Sequence, residues 1–134
     1  MNIDIETSLA AWLRALPAFD GVPVHTGQSA DPIPADQPVL IVGVDSTEVL
    51  TGNLYKTSAS VVLATPAIQE GALEAHSPLS SALRNSLLTA TLMDAAFPPS
   101  ITLAGAVLTA ISESRESDRW LTTANLTLGL IAEI

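Results

Sequence analysis

Few side chains in this sequence are of the kinds that do chemistry, and their spacing is uninformative. The two histidines, His25 and His76, are far apart, and neither sits in HExxH or another metal-ligand spacing. His25 reads as a structural residue on a short strand and His76 as a solvated loop residue. Glu70 and Glu74 lie one helical turn apart, as metal carboxylates do, but no histidine completes a set on that segment. Asp31, Asp36, Asp45 and Glu48 cluster in the early part of the chain without the DxDxDG spacing of a calcium loop. Serines are abundant, yet no GxSxG elbow places one as a nucleophile, and neither GxGxxG nor GxxxxGK[ST] is present to cradle phosphate. Cysteine is absent, which removes thiolate ligands, cysteine nucleophiles and disulfides. The residues therefore imply no cofactor, no metal and no enzyme.

Composition points the same way. The 134 residues suit a single domain, 1–134, with one core. Charged residues make up 14% of the chain, where soluble domains average about 25%. Two readings fit that scarcity: a surface of Ser, Thr and Ala, or a surface partly covered by other subunits, since interface cores are depleted of charge. The net charge of −9 leaves only Arg14, Lys56, Arg84, Arg115 and Arg119 as cations, which argues against sequence-specific nucleic-acid binding. No run of ~20 apolar residues is available to span a bilayer, because the charge-free stretch 95–112 is cut by Pro98 and Pro99. The start, MNIDIE, is acidic where a secretion signal is basic.

The elements that would position these residues follow from periodicity. Ile5, Leu9, Trp12, Leu13 and Leu16 form one stripe of an amphipathic helix over 4–16, with Asn2 or Asp4 to cap it. Residues 22–26 form a short strand, 27–38 a Pro-rich loop, and 39–45 (VLIVGVD) a central strand buried on both faces. Residues 46–52 (STEVLTG) read as a projecting connection. From 53 to 65, Tyr55, Thr57, Ala59, Val61 and Leu63 alternate with Lys56, Ser58, Ser60 and Val62, as on a long antiparallel strand. Residues 66–76 read as a loop, and Ser77-Pro78 as the start of a second helix whose face carries Leu79, Ala82, Leu83, Ser86, Leu87 and Ala90. Strands over 105–114 and 119–132 finish the chain, joined by a charged turn, ESRESD, over 113–118. On the last strand Trp120, Ala124, Leu126, Leu128 and Leu130 face the core. The opposite row, Leu121, Thr123, Asn125, Thr127 and Ile131, is semi-apolar and suited to another subunit. The pattern predicts an α/β (α+β) fold: an antiparallel or mixed β-sheet with two main helices packed on one face.

An opening helix ending in LRALPAFDGVPVHTG, then PVLIVGV, YKTSASVVLAT, SPLSSALRNSLL and a closing hairpin ISESRESDRWLTTANLTLGLIA lie in that order. This layout resembles phage tail terminator and tail-completion (head–tail joining) proteins over nearly the whole chain. The resemblance implies a structural virion protein of the tail or neck, assembled in the host cytoplasm. It would cap the tail tube as a ring, a homo-hexamer, between the tail tube protein and a head-side connector or neck protein. DNA would pass through without specific binding. Thr47, Glu48, Val49, Leu50, Arg115 and Arg119 are the expected partner contacts, and Asp36, Asp45 and Glu48 the expected acids of the lumen. The alternatives are a small adaptor or binding domain of a related tube-like or secretion apparatus, and a hydrolase using one of the histidines.

Overall fold

The computed structural model describes residues 2–27, 37–67, 71–88, 97–116 and 118–132. Helix α1 (Asn2–Ala15) leads through a 3₁₀ turn (Pro17–Phe19) to strands β1 (Val24–Thr26), β2 (Val39–Thr51) and β3 (Leu54–Pro66). Helix α2 (Ala72–Leu88) and strands β4 (Ile101–Glu116) and β5 (Arg119–Ala132) follow. One five-stranded mixed sheet runs in the order β1-β2-β3-β5-β4. Only the β1–β2 pair is parallel, and the other three pairs are antiparallel. The expected α+β fold, two helices against a mixed sheet, is what the chain adopts.

Strict alternation builds the core. Thr57, Ala59, Val61 and Leu63 of β3, and Thr122, Ala124, Leu126, Leu128 and Leu130 of β5, are buried on the helix side. They meet Ile5, Leu9, Trp12 and Leu13 of α1 and Leu83 and Leu87 of α2 in one cluster. Helix α1 lies over β1 and β2, and α2 over β3, β5 and β4. Each fully buried Leu of β5 is worth about 2–5 kcal/mol against Ala, so this strand anchors the domain. Glu6 enters the same layer: its carboxylate accepts the backbone N–H of Val44 at 3.0 Å. Arg14 ties the other end of α1 down by donating to the Val24 carbonyl at 2.8 Å.

Four expectations need correction. Residues 46–52 are not a projecting connection, because β2 continues to Thr51 in ladder with β3 and only Gly52 and Asn53 turn. Gly52 takes φ of +56°, the left-handed conformation a two-residue hairpin requires. The β4–β5 ladder likewise runs to Glu116–Arg119, so residues 113–116 of ESRESD are strand. β4 also begins earlier than expected, at Ile101. Finally, α2 begins at Ala72, after Gly71 (φ +73°), and holds Pro78 inside it. Ser77-Pro78 looked like a start because proline removes the bond to the carbonyl four residues back. The turn ahead of it stays helical because His76 is fastened into the core.

Candidate functional site

Polar residues on core-facing positions need partners, and here they find one another. His76 is 1% exposed, not solvated as the sequence suggested. Its Nδ1 lies 2.7 Å from the Thr65 hydroxyl and its Nε2 2.8 Å from that of Thr122. The Thr122 Oγ1 lies 2.8 Å from the Ser80 Oγ, and Ser80 donates to the Glu113 carboxylate at 2.6 Å. Proton counting orients the whole chain. Ser80 spends its proton on Glu113, so Thr122 must donate to Ser80. Thr122 then has none left for His76, so His76 donates from Nε2 and its bare Nδ1 accepts from Thr65. Burial lowers the His76 pKa below its ordinary 6.5, opposed by the Glu113 charge, which agrees with a neutral imidazole.

The Trp120 ring lies 6.5 Å from that of His76, and the Arg115 guanidinium sits 5.8 Å from the Trp120 centroid. A cleft of about 240 Å³ opens beside the chain between α2 and β4, lined by Ser80, Ser81, Arg84, Glu113 and Thr122 among others. It mixes one cation with one carboxylate and hydroxyls, so it offers no net charge to an anion. The connectivity differs from a Ser-His-acid triad: the Ser80 proton goes to Glu113, and Thr122 stands between Ser80 and His76. Among the described residues no three His, Asp or Glu side chains converge as metal ligands do. Sequence reasoning missed this cluster. The available signal was that Thr65 and Thr122 fall on core-facing positions of strands, where a hydroxyl demands a partner.

The expected partner residues separate into two groups at opposite ends of the sheet. Thr47, Glu48, Val49 and Leu50 lie on the distal part of β2, beside the Gly52 turn. Thr47 is half-buried, its hydroxyl 3.1 Å from that of Thr57. Glu48 is exposed, with Lys56 Nζ at 3.9 Å. Val49 and Leu50 are 60% and 54% exposed. Arg115, exposed on Trp120, and Arg119, half-buried, lie at the β4–β5 turn. The length of β3, ~40 Å for its 13 residues, separates the groups. Of the expected lumen acids, Asp45 and Glu48 are exposed neighbours on β2, and Asp36 lies outside the described residues.

The sheet face away from the helices is exposed or half-buried across its central rows among the described residues, while Val39 and Ala64 are buried on it at the end near the β4–β5 turn. Its central rows are Gly43, Ser60, Asn125 and Ala110, then Ser46, Ser58, Thr127 and Val107. These rows hold no charge. Val49, Leu50, Val107 and Ile131, four exposed large apolar residues, all lie toward the Gly52 end.

No protein-family model and no curated protein matches the sequence. In structure the chain is similar to a solved protein whose name states no activity. The TM-score is 0.56 and the identity 15%, over 98% of this chain and 92% of the other. That similarity establishes a shared fold. No helix among the described residues is long and apolar enough to cross a membrane.

Proposed function

We propose that this chain is a structural assembly protein of the tail-terminator kind, closing into a ring that caps a phage tail tube and meets a head-side connector. The observation that carries the reading is the sheet face opposite the helices, bare and uncharged across its central rows. A monomer with so little charge has little to keep such a face solvated, whereas interface cores are depleted of charge in just this way. The two groups of expected contacts, at opposite ends of a ~40 Å sheet, suit a subunit that must touch one partner at each end. A net charge of −9 keeps passing DNA from being gripped.

The test is light scattering and negative-stain imaging of the protein alone and with tail-tube subunits. A closed ring, six-fold by the resemblance, is expected at least in the mixture. A strict monomer under both conditions overturns the proposal.

A further inference from the structure

Helix α2 is held to the sheet by two different kinds of contact. Its second half is seated by Leu83 and Leu87, which belong to the core cluster. Its first half has no such anchor. Of residues 71–78 only His76 is buried, while Leu73, Glu74, Ala75, Ser77 and Pro78 are exposed. One side chain therefore fastens the opening turns of the helix, through Thr65 on β3 and Thr122 on β5. Two points of weak attachment bound the same segment. Gly71 precedes it with φ of +73°, a conformation glycine adopts without strain. Pro78 follows it and has no N–H, so the helical bond to the Glu74 carbonyl is missing at the junction.

The seat of the imidazole suits its neutral form alone. Thr65 donates to Nδ1 and Thr122 accepts from Nε2, so a second ring proton would face a hydroxyl that is itself donating. Among the described residues, charge near the ring comes from β4. The Glu113 carboxylate is separated from it by Ser80 and Thr122, and the Arg115 guanidinium lies on the Trp120 ring. β3 and β5 contribute Thr65, Thr122 and Trp120, which carry no charge. On α2 itself, Glu74 and Arg84 are exposed. Glu116, Asp118 and Arg119 line a cleft with Ile41, Val62 and Leu121, on the face away from the helices. Burial outweighs the attraction of Glu113 and disfavours the imidazolium.

We propose that residues 71–77 are an acid-released clasp: protonation of His76 frees its ring from Thr65 and Thr122, the segment swings out between Gly71 and Pro78, and Leu83 and Leu87 keep the rest of α2 in place. Thr122 also lines the cleft between α2 and β4, so the vacated imidazole seat extends that cleft towards Thr65. The device needs no second copy and stands apart from the ring reading. The closed form is fully favoured above pH 6.5 and loses ground as pH falls below it. A released imidazole titrates near 6.5, so between pH 7.5 and 5 acid favours release by at most ~30-fold.

Hydrogen exchange read by mass spectrometry tests the clasp on the intact chain, with exposure times scaled to the intrinsic rate at each pH. The amides of His76, Ser77, Leu79, Ser80 and Ser81 are the reporters, because their helical bonds end on carbonyls of residues 72–77. From pH 7.5 to 5 they should lose between ~5-fold and ~30-fold of their protection, while Ser86, Leu87 and the amides of β5 keep theirs. His76→Gln has nothing to titrate in this range and should show equal protection at both pH values. Pro78→Ala restores the missing helical bond and should make release at pH 5 at least ~10-fold rarer. A loss under ~5-fold in the native chain, full exchange already at pH 7.5, or an equal loss at Ser86 and Leu87 overturns the clasp. So does an undiminished pH response in His76→Gln. Should that variant not fold, Pro78→Ala decides, since an unchanged exchange rate at pH 5 removes the hinge.

Discussion

Thr122 is the residue on which the oriented hydroxyl chain depends, and Thr122→Val tests it with almost no change of shape. The side chain is fully buried, accepts from His76 Nε2 and donates to Ser80. Valine leaves the Nε2–H facing a methyl group, and a buried donor without a partner costs about 1–3 kcal/mol. Losing the bond to Ser80 adds about 1 kcal/mol, since Ser80 keeps its bond to Glu113. Burying the new methyl returns about 0.8 kcal/mol. The net expectation is a loss of about 2 kcal/mol, or roughly 6–12 °C in Tm for a domain of this size. Urea unfolding followed by circular dichroism measures it, with Thr123→Val as control because Thr123 faces away from the helices. In a His76→Leu background the stranded donor is gone, so the same substitution should cost about 1 kcal/mol less. A Thr122→Val loss within about 0.5 kcal/mol of the Thr123→Val control, with no coupling to His76, would refute the proposed proton order.

Acid should weaken the fold through His76. Its folded pKa lies below 6.5 because burial disfavours the cation, so the unfolded chain binds the extra proton first. Stability is then intact above pH 6.5 and lost as pH falls from there towards the folded value. Urea midpoints from pH 7.5 to 5 should fall more steeply for the native chain than for His76→Gln, and parallel curves would contradict the assignment. Gly52→Ala should cost about 1–2 kcal/mol by thermal unfolding, because alanine resists the positive φ. The double variant Arg115→Glu with Arg119→Glu should unfold within a few degrees of the native chain, since an exposed cation–π contact is worth only ~0.5–1 kcal/mol. On the ring reading it should nonetheless fail to join tube or connector in a pull-down, and normal joining would remove these arginines from the contact surface.

Alternation made the sheet legible. β5 follows a period of two throughout and β3 does so from Thr57 to Leu63, so their buried rows could be named from sequence, down to Leu126, Leu128 and Leu130. The apolar stripe of α1 was legible for the same reason. Errors arose where a local signal competed with a distant one. STEVLTG carries turn-like residues, yet the ladder to β3 holds it extended, with two bulges absorbing the misfit. Ser77-Pro78 carries the marks of a helix start, but the preceding turn is fixed by His76 reaching Thr65 and Thr122, 11 and 46 residues away. No local window contains those partners.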